Sequence, residues 1–539
     1  MHLWPIELST MNTSLLQTAA AGTAPAVDVG DADYLKRINA ARVYDIAIET
    51  PLTEAVQLGK RIGNRVFLKR EDKQPVHSFK LRGAYNRIAR LTAAQRSRGV
   101  ICASAGNHAQ GVALAGQKLG IRAVIVMPRT TPAIKVQAVR AFGGEVVLHG
   151  DSYDEAAAQA AALQARDGLE YIHPYDDPDV IAGQGTIGME IVRQHPDDIH
   201  AVFVCVGGGG MLAGISAYIK SVRPGIRVIG VEPEDAASMT RSLAAGERVT
   251  LDEVGLFADG VAVRCPGAEA FRLARQHVDA MLTVSVDEIC AAMRDIYEDT
   301  RSLSEPAGAL ALAGAKKYVQ QTGILEQHLV AIESGANVNF DRLGYIADRA
   351  ELGEQGEALL AVTIPERPGS FRNFCNTIGG RVVTEFNYRY AEASAAHIFV
   401  GIKLSQGVAE RNRIIADLRN ADYDVIDLSR NEMAKLHVRH MVGGRAPKVN
   451  DEILFRFEFP ERPGALVDFL NNIGERWNIS LFHYRNHGHA YGQVLAGLQV
   501  VPEQRDACRA SLDALGYEYA EETDNPTYRL FLNAGQPDS

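Results

Sequence analysis

Between about residues 36 and 345, short β-branched apolar runs alternate with alanine-rich stretches of helical period. "GVICAS" precedes "HAQGVALAGQKLG", "RAVIVMP" precedes "PAIKVQAVRAFG", "AVFVCVGGGG" precedes "MLAGISAYIKSV", and "RVIGVEP" and "HLVAIESGANV" follow. Alternation of this kind restricts the region to an α/β fold, a mostly parallel sheet wrapped by helices. Ligands of such a fold bind at the carboxyl ends of strands.

Beyond it the polar, helical segment "NFDRLGYIADRAELGEQGE" suits a connector, and the chain then repeats itself. "PERPG" at 365 returns 95 residues later at 460, Phe374 matches Phe469, and Asn376 and Gly379 match Asn471 and Gly474. One inserted residue moves "FNYR" at 386 onto "FHYR" at 482. Each copy reads as strand, Pro-Gly turn, amphipathic helix, strand and further alternating runs, so a pair of small α+β modules is expected. The expected boundaries are a flexible tail over 1–32, an α/β domain over 33–345, a connector over 346–357, modules over 358–430 and 452–525 with a spacer over 431–451, and a tail over 526–539.

A chain of 539 residues is too long for one core, which agrees with this division. No uninterrupted apolar stretch is long enough to cross a bilayer, so no membrane insertion is expected. The formal charge of −10 disfavours a nonspecific hold on nucleic acid and points to small metabolites. Six scattered cysteines, none in a C-x-x-C pair, give neither a disulfide framework nor a zinc pattern, which fits a reducing cytoplasm and no metal centre. The first thirty or so residues match neither a transit nor a signal peptide, and Met11 stands as an alternative start to Met1.

Three strand ends carry candidate chemistry. Gly207, Gly208, Gly209 and Gly210, between a buried strand and a helix, can close backbone N–H groups on an anion such as a phosphate, or form a flexible loop. "SAGNHAQG" at 104–111 offers Ser104, Ala105, Gly106, Asn107 and His108 at a helix start, as a carboxylate pocket or as ordinary caps. Ser334 in "AIESGANV" is by itself a turn residue. Lys80 in "KREDKQPVHSFKLRGA" orders the others: a lysine with a depressed pKa forms imines, and Phe79 beside it offers a flat wall. An amine, a phosphate cradle and a carboxylate pocket together describe a pyridoxal phosphate site.

"KREDKQPVHSFKLRGA", "SAGNHAQG", "VGGGGM", "SEPAGA" and "ESGANVNF" stand in the order and spacing of the fold-type II (tryptophan synthase β-like) pyridoxal phosphate enzymes. The chain resembles, over about 500 residues, their biosynthetic threonine ammonia-lyases (threonine dehydratases), and the doubled module resembles the ACT-like regulatory pair of the long, isoleucine-sensitive form. The resemblance implies that Lys80 carries pyridoxal 5'-phosphate as an imine and later takes the α-proton of threonine. It further implies that Phe79 lies against the ring, Gly207 to Gly210 with Met211 bind the phosphate, Asn107 contacts the 3-hydroxyl, and Ser334 faces the pyridine nitrogen. The product would be 2-oxobutanoate, with ammonia released. Tyr388 and Tyr484, at equivalent positions of the modules, would lie near sites for isoleucine and for valine as its antagonist, or else are half-buried strand residues. A homotetramer is the family's habit.

A neutral Ser334 disfavours a protonated ring nitrogen, which favours elimination over transamination. Related serine racemases carry a serine where this chain has Ala105, so racemisation is expected to be poor. Those relatives also hold a divalent ion near a segment like "VEPEDAAS"; Glu232 and the Ala236 carbonyl match, but Ser238 replaces an acid. Glu305 in "SEPAGA" is expected either to orient substrate or cofactor or to act as a helix cap. The alternatives are a serine dehydratase or another β-elimination or replacement enzyme of the same fold, or an amino-acid sensor with an inactive catalytic domain.

Overall fold

The computed structural model describes residues 31–353, 356–379, 381–390, 395–446, 449–460, 465–473, 476–485, 491–526 and 528–532. Nearly all of the expected N-terminal tail, residues 461–464 of the second "PERPG", and Gly474 lie outside the described residues. The chain forms two units that divide between Leu343 and Gly344.

In the first unit the parallel order dictated by the alternation is shared between two sheets. One runs, in space, Leu52–Glu54, Arg65–Arg70, His328–Glu333, Ala201–Cys205, Arg227–Pro233, Ala280–Val284, parallel except for the first edge strand. The other places Glu145–Leu148, Ala123–Met127, Val100–Ala103 and Glu170–Tyr171 side by side, all parallel. Strands covered on both faces read as unbroken apolar runs, and Val100–Ala103, Ala123–Met127 and Ala201–Cys205 have every residue buried. Separate apolar clusters, one around Val112 and Ile125 and one around Val124 and Ala160, pack the two faces of the smaller sheet. No helix among the described residues is long and apolar enough to cross a membrane.

Helix Lys80–Ala89 is gripped by two neighbours. A Cβ on Gly83 would lie 2.7 Å from Val180 O, one on Gly183 2.7 Å from Arg82 O, and one on Gly111 3.1 Å from Leu81 Cα. Only glycine allows so close an approach. The first turn is held by charge as well. Arg82, fully buried, gives Nε and Nη2 to Glu71 at 2.8 Å each and Nη1 and Nη2 to Glu190 at 2.6 and 3.0 Å. Lys69 Nζ reaches Glu190 at 2.6 Å and donates to Thr50 O at 2.6 Å and Gln194 Oε1 at 3.0 Å. Two cations and two carboxylates therefore neutralise one another out of contact with water. Burial opposes ionisation of Glu190, but Arg82 and Lys69 outweigh it and hold its carboxyl below the usual range.

The second unit carries one antiparallel eight-stranded sheet in the order Asp424–Asp427, Glu357–Pro365, Ala395–Lys403, Val383–Arg389, Asn478–Arg485, Tyr491–Gln499, Glu452–Pro460, Glu518–Glu521. Counted within each copy, the order is four-one-three-two and then two-three-one-four. The expected modules thus join edge to edge about a pseudo-two-fold axis. Phe386 stands opposite Tyr484 and Tyr388 opposite Phe482, and the Phe386 and Phe482 rings meet edge-on at 5.4 Å. Helices Ser370–Ile378, Gly407–Asn420, Ala465–Ile473 and Arg505–Leu515 feed a single apolar core that includes the equivalent, fully buried Phe374 and Phe469.

The duplication extends to polar contacts. Thr384 Oγ1 donates to Glu357, and at the matching position Ser480 Oγ donates to Glu452. Two stretches expected as spacer and tail carry packed structure instead. The spacer forms helix Glu432–Leu436 and the turn Val438–His440, because Arg439 is drawn into the interior to pair with Glu385 and Glu357. The C-terminal stretch forms the turn Tyr528–Leu532, because Tyr528 buries its ring and donates to Glu452 at 2.6 Å.

Removing one partner of a buried charge network strands the others. Replacement Glu190→Leu is expected to cost about 3–5 kcal/mol, read as a lower unfolding midpoint for the first unit in a denaturant titration. An unchanged midpoint would contradict the role given to the network.

Candidate active site

Lys80 opens its helix, directly after Phe79 at the N-cap. Its Nζ lies 5.1 Å from the Phe79 ring centroid and 3.4 Å from Pro174 O. Loss of hydration on burial pulls the Lys80 ammonium down to about 8, against the weaker upward pulls of Cys205 and Glu305. A far larger fraction of the amine than in an exposed lysine is then uncharged and nucleophilic near neutral pH.

The glycine turn follows strand Ala201–Cys205 and leads into helix Gly210–Val222. Tyr175, next to Pro174, packs on it: a Cβ on Gly208 would sit 2.2 Å from the Tyr175 ring, and one on Gly210 2.5 Å from Tyr175 O. A Cβ on Gly207 would meet Val261 Cα at 2.9 Å, and Gly209 has φ +93°, in the left-handed region. Side chains are thereby excluded at all four positions, leaving a bare backbone at a helix start. Met211 is buried in the first turn. The segment Pro174–Tyr175 thus touches both Lys80 and the glycine turn, which ties the two expected halves of the site together.

Strand Val100–Ala103 ends in the turn of Ser104, Ala105 and Gly106, all half-buried, before helix Asn107–Leu119. Gly106 N–H donates to Ser104 Oγ at 3.3 Å, and a Cβ on Gly106 would meet nothing within 4 Å, so open space lies against this helix start. Asn107 Nδ2 donates to Glu305 Oε1 at 2.7 Å, while Asn337 Nδ2 donates to Asn107 Oδ1 at 2.7 Å and to Val76 O at 2.9 Å. The Asn337 N–H donates to Glu305 Oε2 at 3.1 Å. Burial first, then Asp259, pushes the Glu305 carboxyl up to about 7. Glu305 also stands at the N-cap of helix Pro306–Thr322 without a side-chain capping bond, so its carboxylate serves the Asn107–Asn337 cluster rather than the helix. The His108 ring turns away into the interior, where Nε2 meets Ile172 O at 2.8 Å and burial pulls the ring down to about 3.

Ser334, at the end of strand His328–Glu333, is buried, donates to Ala307 O at 3.3 Å and lies within hydrogen-bonding reach of the Cys205 thiol. Ser78 Oγ, two residues before Lys80, is buried and finds no hydrogen-bond partner among the described residues. An amine of lowered pKa, a bare glycine turn at a helix start and spare buried hydrogen-bonding capacity fit an aldehyde cofactor with an anionic tail. Elsewhere, Glu232 is taken up by its own fold. Its carboxylate accepts from Met239 N, Thr240 N and Thr240 Oγ1 at 2.8, 2.8 and 2.6 Å, capping helix Ser238–Ala245. In the second unit Tyr388 and Tyr484 are buried in the shared core, and the Tyr388 hydroxyl donates to Glu366 of the first "PERPG". Sequence reasoning did not single out Asn337, Tyr175, Arg82 or Glu190. Asn337 stands within "ESGANVNF", but nothing local marks it as a partner of residue 107 or 305.

The family model described as pyridoxal-phosphate dependent enzyme matches residues 43–335, and that described as the C-terminal regulatory domain of threonine dehydratase matches 348–438 and 443–532. The biosynthetic L-threonine dehydratases of Burkholderia multivorans and Escherichia coli are 56% and 54% identical to this chain over 504 and 503 residues. Each alignment covers 93% of this chain, and 99% and 97% of those proteins. Among solved structures, the processed form of threonine deaminase isoform 2 from Solanum lycopersicum aligns with a TM-score of 0.59 and 52% identity, over 60% of this chain and 88% of that one. Maize serine racemase aligns with a TM-score of 0.55 and 33% identity, over 58% of this chain and 95% of that one.

A lysine-directed acylating reagent applied to the cofactor-free protein across a pH series should modify Lys80 with a midpoint near 8. Peptide mapping supplies the readout. In Glu305→Gln the midpoint should fall further, since a neighbouring negative charge is removed; a midpoint near the ordinary 10.5 of lysine would contradict the desolvation argument.

Proposed function

The chain belongs to the threonine dehydratase family of pyridoxal phosphate-dependent enzymes, and from that premise we propose how its residues divide the work. It is a threonine ammonia-lyase that uses pyridoxal phosphate to deaminate threonine in isoleucine biosynthesis, with a regulatory region at its C-terminus. The single observation carrying the assignment of roles is the partly desolvated Lys80 amine, joined through Pro174–Tyr175 to the glycine turn.

Lys80 is the covalent anchor. Gly207, Gly208, Gly209, Gly210 and Met211 hold the cofactor phosphate at the start of their helix, where backbone N–H groups and the helix dipole favour an anion. Phe79 would bound the ring, Asn107, held in orientation by Glu305 and Asn337, would meet its 3-hydroxyl, and Ser334 would face its nitrogen. Bound there, the cofactor supplies an electron sink for charge developing at the substrate α-carbon. The turn Ser104–Ala105–Gly106 and the N-terminal backbone of the helix at Asn107 and His108 receive the threonine carboxylate. In the loaded enzyme Lys80 Nζ would be the base placed to take the substrate α-proton. The overall change is loss of the β-hydroxyl as water and hydrolysis of the remainder to 2-oxobutanoate and ammonia. Ala105 carries no group able to return a proton from the opposite face, which supports elimination over racemisation.

Isoleucine inhibits by binding the joined modules, and valine opposes it by preferring the other state, since a ligand of equal affinity for both states shifts nothing. Support for Tyr388 as a transmitter comes from its bond to Glu366, which also accepts from Asn478 Nδ2 of the second module at 2.9 Å. Tyr484, across the pseudo-axis, has the matching place. A homotetramer and a cytoplasmic location complete the proposal. The exposed Leu256 and Phe340 suit coverage by a further subunit, and all six cysteines are free thiols.

Formation of 2-oxobutanoate from threonine, followed across an isoleucine titration, tests chemistry and regulation together. Threonine should be turned over in preference to serine and inhibition should be complete; strong serine preference without any isoleucine effect would favour a serine dehydratase. Replacement Tyr388→Phe keeps the ring and deletes the hydroxyl. With a bond worth about 1 kcal/mol, the half-inhibitory isoleucine concentration should rise roughly fivefold at unchanged basal turnover.

A further inference from the structure

At the amino end of strand His328–Glu333, one strand length from Ser334, three side chains from two segments converge. His195 caps the C-terminus of helix Pro178–Gln194, Asp197 follows two residues later, and His328 opens the strand. Their ligating atoms all lie within 4.8 Å of one another, and His195 Nε2 stands 3.0 Å from His328 Nδ1. His195 is buried, His328 half-buried and Asp197 exposed, so the cluster opens to solvent on its carboxylate side. Among the described residues it is the one group of His, Cys, Asp and Glu side chains so arranged.

We propose that His195, His328 and Asp197 form a binding site for a divalent transition-metal ion of the zinc, cobalt or nickel class, apart from the catalytic centre. Two imidazoles and one carboxylate suit such ions better than the oxygen-demanding magnesium or calcium. Nitrogens bound about 2.1 Å from a shared ion lie roughly 3.0–3.4 Å apart, so the two already stand at a suitable separation, and a turn of the rings would exchange their mutual hydrogen bond for one metal. Open coordination positions face water beside Asp197.

The surroundings hold the donors in place. The Phe67 ring packs against both imidazoles, with centroids 4.5 Å from His195 and 5.8 Å from His328. Arg223 donates to His195 O at 3.3 Å, Asp197 O at 3.1 Å and Asp198 Oδ1 at 3.4 Å, pinning the loop that carries two of the three ligands. Opposing charge is moderate: Arg65 is engaged by both oxygens of Glu54, and Arg223 faces Asp198. A bound ion would tie the helix carrying Glu190 to the strand leading to Ser334, bracing the catalytic unit without entering its reaction.

The test uses the full-length, cofactor-loaded enzyme, stripped of metal and titrated with cobalt(II). One ion per chain should bind, with visible ligand-field absorption and no thiolate charge-transfer band. Loss of a direct ligand in His328→Gln or Asp197→Asn should weaken binding by at least the roughly 10–100-fold that loss of a supporting partner costs. Cobalt at a concentration that just saturates the wild type should raise its unfolding temperature and shift both variants less, while metal-free threonine turnover stays equal in all three. Asp197 is exposed, so Asp197→Asn keeps the test open if His328→Gln fails to fold. Equal cobalt binding by the wild type and Asp197→Asn, a thiolate band, or no binding at all would overturn the proposal.

Discussion

The proposed chemistry depends on holding one lysine amine where water solvates it poorly, at the first position of a helix held from several sides. The buried Arg82, two residues beyond Lys80, supplies the constraint. It is clamped by Glu71 from one segment and Glu190 from another, with Lys69 balancing the charge. Tight glycine contacts on both flanks of the helix remove the remaining freedom. Charge neutralisation therefore does structural work: it lets a helix start sit in the interior, and that position in turn lowers the pKa of Lys80. The low pKa follows from packing rather than from a neighbouring cation.

The residues proposed for direct chemistry stood out because each position asks for a particular residue type. An imine-forming amine needs lysine, and a backbone cradle needs glycine. What could not be read is what holds them. Arg82 meets partners 11 and 108 residues away, and Asn107 meets partners 198 and 230 residues away. Neither spacing leaves a periodic trace. The division of the strands between two sheets was equally hidden, since buried parallel strands give the same apolar run in either sheet.

In the regulatory unit the duplication was plain, but its consequence was not. Two copies pair through their second strands into a continuous sheet, and Arg389 of the first copy reaches Glu452 of the second as well as Leu532 O. Stretches that read as spacer and tail supply Arg439 and Tyr528, buried side chains that neutralise or donate to a glutamate at the start of a module. A few buried residues, in the first stretch Ala434, Lys435 and Arg439 among them, anchor a polar segment without giving it a periodic apolar pattern. Bridges such as Tyr388–Glu366–Asn478 connect the copies.

The most direct measurement is chemical capture of the cofactor. The enzyme loaded with pyridoxal phosphate is reduced with borohydride, digested, and the pyridoxyl-bearing peptide identified. The label should lie on the Lys80 ε-nitrogen alone. A label on any other lysine, or none, would contradict the account of how this fold makes its nucleophile.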